Sequence, residues 1–516
     1  MGRRYDRAMT HARNWWEHRA CLALLVLLSG LPLWWPTIPP LTDLPGHMGR
    51  YAVQLAGNSG PLAQWYTFKW QWVGNLGVDL LVQLIGPWLG VEAAAKLIVI
   101  AIPMLLAAGF IAVAREVHGR IPPTVILALP LAYNYAFLWG FVNFALSMAL
   151  AFLAFALWLR MARAGALRAR AVTFVLLSLL LWTAHIFGWA MLCVLAFSAE
   201  LVRQWDVRRK AIATLVAASL ACLPLLPPVL PMVLTFGDGG AGGQPFGHTW
   251  FNWDLKLRWM RSLLRDRHEV FDRGSVALLG LVLAGGAAAW LLDRRRPSGL
   301  TLIVAGAVLA LLYVVMPFAL LGSAYADMRL APFVVATALL AIGTPRRGAG
   351  WIAIAALAFF GVRTAASTFS FKAYDESFRI GLAALDHVPD GARVLGLVGK
   401  SCRPGWASHR LDHLPSMVIV RRHGFSNDQW QAHGAQLLTV TYDAAGAFGA
   451  DPSQFVVERR CERIERMAFP RAIATFPRGA FDYVWAIYQP REKIDLSGLT
   501  LVWRGEHSVL YRVTTK

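Results

Sequence analysis

Charge is scarce in this sequence, and acid is scarcer than base. Only 16% of the 516 residues are Asp, Glu, Lys or Arg, and these divide into 30 acidic and 50 basic residues. A soluble chain of this length carries about 25% charged residues, so a water-soluble fold is excluded for most of it. Cysteine is sparse as well, at five residues. Cys21, Cys193 and Cys222 fall in apolar runs and read as packing residues. Cys402 and Cys461 fall in the polar C-terminal part, where a disulfide and two free thiols are both compatible with the sequence. No cysteine or histidine spacing describes a metal site. The C-terminal part has no G-x-G-x-x-G, no phosphate-binding loop and no G-x-S-x-G, which removes the common nucleotide-binding and hydrolase readings.

Long apolar runs are what the chain does have: 57% of it is hydrophobic. Runs of about 18 to 25 residues, such as 275–292, match the thickness of a bilayer's hydrocarbon core. They recur over the first 370 residues and then stop. Eleven spans are predicted, at 20–36, 95–114, 122–138, 140–159, 171–185, 187–203, 211–234, 275–292, 299–322, 329–344 and 349–367. The start (Arg3, Arg4, Arg7, Arg13, Arg19) precedes a run ending in Trp34, Trp35 and Pro36 with no small-residue cleavage site, so it reads as an anchor and not as a removed signal.

The formal net charge of +20 does not point to nucleic acid, because the basic residues sit in short clusters between apolar runs. Arg115 with Arg120, Arg160 to Arg170, Arg203 to Lys210, Arg294 to Arg296, and Arg346 with Arg347 follow every second span. The alternate connections, around Gly140, Phe187 and Ser323, hold almost none. The positive-inside rule then places the N-terminus in the cytoplasm and the C-terminal part outside a bacterial inner membrane. Residues 73–90 break this alternation if counted as a span. Asp79 within them is costly at bilayer depth, so a surface or re-entrant helix is expected there.

The expected fold is a multi-pass α-helical membrane domain over 1–370, followed by a small outer α/β domain over 371–516. Outer loops run over 37–94 and 235–274. In the first, a helix starts near Asp43, with Met48, Tyr51, Val53 and Leu55 as an interfacial face and Trp65, Trp70 and Trp72 as an aromatic belt. The second opens with GDGGAGGQPFG and continues into the basic amphipathic stretch DLKLRWMRSLLRDRHEVF. That stretch either rests on anionic headgroups or grips an anionic lipid-linked substrate through Lys256, Arg258 and Arg261. In the C-terminal part, strands are predicted at RVLGLV, SMVIV, LLTVTY, FDYVWAIY and SVLYRVT.

A few polar residues stand out against this apolar background. Asp43, in TDLPGH just after the first span, reads as a helix N-cap or as a chemically active carboxylate. His47, four residues on, shares its helical face. Arg329, in SAYADMRLAPF, is the only Lys or Arg in the short outer connections, and suits either an interface anchor or a phosphate ligand. Tyr133, Asn134 and Asn143 flank the turn at Gly140 and either contact a sugar or satisfy the turn. His185, with Thr183, lies where a span reaches the outer face, in a substrate pocket or in helix-to-helix bonding. His413 and the stretch RRHGFSNDQW read as a solvated loop, with a sugar or acceptor contact as the alternative.

An acidic residue heading a surface helix just after the first span, many spans, a long first outer loop and an outer C-terminal domain together resemble the GT-C superfamily of membrane glycosyltransferases. The stretch YNYAFLWGFVNFALSMALAF is similar to a Gly-Phe-x-Asn-Phe segment in uncharacterised bacterial members. The resemblance implies transfer of a sugar from a polyprenyl-phosphate-linked donor to a lipid or glycan acceptor at the outer face. On that similarity Asp43 is the general base, assisted by His47, and Arg329 meets the donor phosphate. Better-known branches carry Asp-Glu where this chain has Asp43-Leu44, and a second acid in the next outer loop, where AFLWGFVN has none. No cofactor is called for, and a divalent cation is left open; His47 and Asp327 are the nearby groups that could compensate. The competing readings are a polytopic transporter or lipid flippase, against which stand the few ionisable residues in the spans and the lack of a repeat, and a non-catalytic envelope-assembly protein.

Overall fold

The computed structural model describes residues 14–236, 249–292, 297–320, 324–345, 347–403, 405–431, 437–459, 461 and 466–514. Arg3, Arg4, Arg7, Arg13, the glycine-rich GDGGAGGQPFG stretch, Arg294 to Arg296, Ser323 and Arg346 lie outside these residues.

Among the described residues, six helices are long and apolar enough to cross a membrane: Val91–His118, Val142–Arg163, Leu167–Ala184, Ile186–Arg208, Glu269–Leu292 and the long helix that begins at Ala349. Val91–His118 and Val142–Arg163 form the centre of the bundle, where Phe110 meets Phe152 edge to face at 4.8 Å. The outward faces of their neighbours are apolar and open: Leu176, Ile212, Leu281 and Leu292 are all exposed. Such surface suits hydrocarbon and not water. Val91–His118 ends at Gly119 in the left-handed region, with Arg115 and His118 in its last turn, where cations complement the helix dipole.

Several predicted spans are broken by proline. The stretch 122–138 is not one helix. It divides into Val125–Ala128, a 3₁₀ turn at Leu129–Tyr133 with Pro130 in its first turn, and Tyr135–Trp139. Pro130 supplies no N–H, and Asn134 caps a new helix by accepting from the Phe137 amide at 3.1 Å. Likewise 211–234 divides into Ala211–Cys222, a 3₁₀ turn and Val229–Phe236 around Pro224, Pro227 and Pro228. The 73–90 stretch forms the 13-residue helix Gly77–Leu89. Its Asp79 is buried and paired with Arg50 at 2.8 Å, so its charge is compensated from the first-loop helix.

The final membrane helix does not stop near 367. It continues from Ala349 to Leu382, about 51 Å at 1.5 Å per residue, which exceeds the hydrocarbon thickness and carries the chain directly into the C-terminal sheet. Residue 370 therefore lies within one continuous helix.

That sheet is built from β2 (Arg393–Lys400), β3 (Phe425–Ser426), β5 (Phe455–Val457), β6 (Tyr483–Ile487), β7 (Leu499–Arg504) and β8 (Ser508–Val513). Its order is β3-β2-β6-β8-β7, with β5 also on β2. β2 runs parallel to β3, β5 and β6, and β8 runs antiparallel to β6 and β7. β2 and β6 are buried on both faces, as near-continuous apolar runs require. The predicted strand SMVIV is instead the helix Met417–Arg422, entered through a 3₁₀ turn containing Pro415; a short apolar run is ambiguous by periodicity alone. LLTVTY contributes β4 (Leu438–Val440), which pairs antiparallel with β1 (Tyr66–Phe68) of the first long loop and not with the main sheet. Cys402 and Cys461 form a disulfide.

The first-loop helix Leu44–Ala56 is covered by the C-terminal domain. Met48, Tyr51 and Val53, expected on a lipid interface, are buried in protein. Trp65, expected in an aromatic belt, is buried too, whereas Trp70 and Trp72 are exposed.

Candidate active site

Asp43 sits at the N-cap position of Leu44–Ala56, yet its side chain makes no capping bond. Its backbone is held from the other side: the Thr42 and Asp43 amides donate to the carbonyls of Leu138 and Trp139 at 3.2 and 2.8 Å. The close approach needs Gly140. That residue has φ +112°, and a Cβ there would lie 2.7 Å from the Asp43 nitrogen. The Gly-Phe-Val-Asn turn thus functions as a seat for Asp43.

With no cap bond, the carboxylate turns to the C-terminal domain. His413 Nε2 lies 3.6 Å from Asp43 Oδ1. The other ring nitrogen, Nδ1, is 2.6 Å from Asp428 Oδ1. Asp428 is fully buried and also accepts from the Ser416 amide at 3.1 Å, the Ser416 hydroxyl at 3.0 Å and the Gln454 amide at 3.0 Å. The Trp430 ring packs on His413 at 4.6 Å and on His47 at 5.1 Å. Gly46 permits this, since a Cβ there would meet the Trp430 ring at 2.5 Å. The Gln429 side chain ties the same segment to the Gly46 carbonyl at 3.1 Å.

Burial pushes the Asp43 carboxyl up to about 7; His413 and Lys400 oppose that rise, and Asp412 and Asp451 add to it. For His413, burial alone lowers the pKa. The charge and hydrogen bond of Asp428, with Asp43 and Asp451, more than reverse it and raise it to about 9. At neutral pH the ring is an imidazolium between two carboxyl groups. Burial, with the nearby Arg50 and His413, holds His47 well below the usual histidine range, so the ring is neutral, and it hydrogen-bonds the Gly140 backbone.

Arg329 lies in the first turn of Ala326–Ala341. Its guanidinium stacks 4.0 Å above the Phe141 ring and is within electrostatic reach of Asp43. Tyr325, just before it, has φ +61° and packs against Trp139 and Phe141 at 5.2 and 6.3 Å. The structure therefore brings Asp43, His47 and Arg329 to one place and adds His413.

Other candidates are spent on structure. Lys256 donates to the carbonyls of Tyr313 at 2.8 Å and Met316 at 2.6 Å, and pairs with Asp327 at 3.4 Å. Its three N–H groups cap one helix and latch another, which leaves none for a phosphate. Arg258 and Arg261 are exposed on the same short helix. The Tyr133 hydroxyl donates to the Ser29 carbonyl at 2.8 Å. Asn134 is the helix cap already described. Asn143 accepts from the Val78 amide at 2.5 Å and donates to Asp79 at 2.9 Å. These three side chains already have partners inside the protein, which makes them part of the framework. His185 Nδ1 accepts from the Phe187 amide at 3.2 Å, capping the next helix while its ring faces Phe144.

His413 is not a solvated residue, and its stretch does not form a free loop: Ser426, Asn427, Asp428 and Gln429 are buried. A run of polar residues reads as solvent-facing unless the partner surface, here Leu44–Ala56, is known. His413, Asp428 and Asp451 present ligand atoms within 4.8 Å of one another. However, the Gln454 amide donates to both carboxylates, which places a protein N–H where a bridging cation would sit. The donor set fits a hydrogen-bonded network better than a metal.

Two solved structures of ArnT from Cupriavidus metallidurans are similar to this chain, one in the apo state and one bound to undecaprenyl phosphate. Each is 13% identical and covers 95% of this chain and 96% of its own, with TM-scores of 0.47 and 0.46 respectively. Neither a protein-family model nor a curated protein matches the chain.

Proposed function

We propose that this protein is a membrane glycosyltransferase that moves a sugar from a polyprenyl-phosphate-linked donor to a cell-envelope acceptor at the outer face of the inner membrane. The observation that carries the reading is Asp43: a carboxylate at a helix start that makes no cap bond, held near neutrality by burial, with a guanidinium within electrostatic reach. A general base works best with a pKa near the working pH. The Cys402–Cys461 disulfide supports an oxidising, extracytoplasmic location for the C-terminal domain.

In the proposed reaction the acceptor hydroxyl oxygen attacks the anomeric carbon, and its proton passes to Asp43. The bond from that carbon to the phosphate oxygen breaks, and polyprenyl phosphate leaves with the electron pair. Attack opposite the leaving group inverts the anomeric centre. The leaving phosphate is already a stable anion, so it needs a cation and not an acid; Arg329 supplies that charge through its fork of donors. No step is routed through a metal.

Asp43→Asn is expected to fold and to lose sugar transfer by about 100-fold or more, measured as polyprenyl phosphate released in proteoliposomes; full transfer by the purified variant removes the base assignment. Arg329→Ala is expected to weaken apparent donor affinity more than acceptor affinity, and an unchanged donor KM counts against it.

A further inference from the structure

We propose that His413, backed by Asp428, is a positioning residue for the Asp43 base, so that the C-terminal domain supplies half of the proton-handling site. This rests on the reading of Asp43 as the base.

The geometry is directional. Asp428 accepts from the Ser416 amide, the Gln454 amide and the His413 ring, and the Ser416 hydroxyl shares its one proton between the Asp428 carbonyl at 2.6 Å and the carboxylate at 3.0 Å. These bonds fix the carboxylate in place; burial pushes its pKa up, and the charge and bond of His413 and the Ser416 bond pull it back down. Asp428 commits the Nδ1–H of His413, which leaves only Nε2 to face Asp43, at 3.6 Å. That separation exceeds a hydrogen bond but is short for a charge pair, and such contacts tighten when substrate binds. The ring cannot turn away, because Trp430 covers one side at 4.6 Å and Phe455 meets its edge at 5.5 Å.

The consequence concerns when Asp43 is a base. Buried alone, a carboxyl stays protonated at neutral pH and accepts nothing. A fixed positive charge beside it favours the ionised form. His413 is placed to do this, while Asp412 and Asp451 of the same domain pull the other way and Lys400 assists. From the membrane domain, Arg329 and Tyr325 lie within electrostatic reach, and neutral His47 lies on the helix that Asp43 heads. His413 is the histidine among these that is itself locked to a buried carboxylate. The half-site it belongs to is 370 residues from Asp43 in sequence, and the Gly46–Trp430 contact brings the two halves together.

Difference infrared spectroscopy on the full-length protein in liposomes follows the Asp43 carboxyl directly, assigned by the band that Asp43→Asn removes. The expected midpoint is near 7 in the wild type and about one pH unit higher in His413→Gln. An unmoved midpoint overturns the proposal. Should His413→Gln not fold, Asp428→Asn serves, since it leaves the ring but removes the charge that keeps it protonated; the same upward shift is expected and its absence is equally decisive. The readout does not require turnover. A shifted midpoint without transfer from any polyprenyl-phosphate donor overturns the transferase reading alone, whereas transfer with an unmoved midpoint overturns the His413 role alone.

Discussion

At the scale of single residues, the same burial that suits Asp43 to its proposed role as a base also costs stability. Burial raises its carboxyl to about 7 from an unfolded value of about 4. The folded state therefore binds the proton more tightly than the unfolded chain. Stability from this group is fully present below pH 4 or so and is lost as pH rises towards 7. Asp43→Asn removes that dependence, so the variant is expected to gain thermal stability over the wild type between pH 5 and 8, with the gap widening as pH rises. The gap approaches a few kcal/mol at most. A constant gap across this range, measured by thermal unfolding in detergent, would falsify the raised-carboxyl account. Catalytic groups held against their own stability are common where function needs them. The residue is legible in the sequence, because an acid just after a first span and ahead of Leu-Pro-Gly is rare in so apolar a chain. What it does with its side chain is not, since a free carboxylate and a capping one have the same spacing.

At the scale of elements, the second long loop is fastened by charge as well as by the apolar packing of Trp259, Leu263 and Leu264. Lys256 of the helix Trp253–Arg261 seals the C-terminal carbonyls of Leu300–Val315 and pairs with Asp327, two residues before Arg329. Removing one member of a buried pair leaves the other uncompensated. Lys256→Met is therefore expected to destabilise the protein by about 3 kcal/mol and to lower kcat through the Arg329 helix, with donor KM little changed. A donor KM that rises with no loss of stability would return Lys256 to the phosphate-binding role its basic setting suggested. Exposed Trp250, Phe251, Trp253 and Leu257 lie on or just before the same helix, as an interfacial segment requires. Sequence amphipathicity marks such a helix well. It does not tell which of its cations face lipid and which turn inward, because both kinds occupy the polar face.

At the scale of the whole molecule, the bundle and the sheet domain are joined at several points. The helix Ala349–Leu382 runs through both, β1 pairs with β4, and buried Arg410 bonds to the Pro40 carbonyl and to Asp266. A linker between independent domains would show few such contacts. If the sheet domain faces the oxidising side, Cys402 and Cys461 are expected to resist impermeant thiol reagents until reduced. Reduction is expected to lower the unfolding temperature, since the bridge joins residues separated by 59 positions and is worth about 4 kcal/mol by loop entropy. Labelling without reduction would contradict the bond, and no labelling even after reduction would contradict the location. The sequence alone determined the membrane class, the helix-rich part with its basic connections, and the singular acid and arginine, because hydropathy and charge are local properties written residue by residue. Only tertiary structure decided that Asn143, Tyr133 and Lys256 are framework, that a final helix runs unbroken into the sheet, and that His413 stands beside Asp43. Those facts depend on contacts across tens to hundreds of residues, and no local pattern encodes which distant surface will cover a polar group.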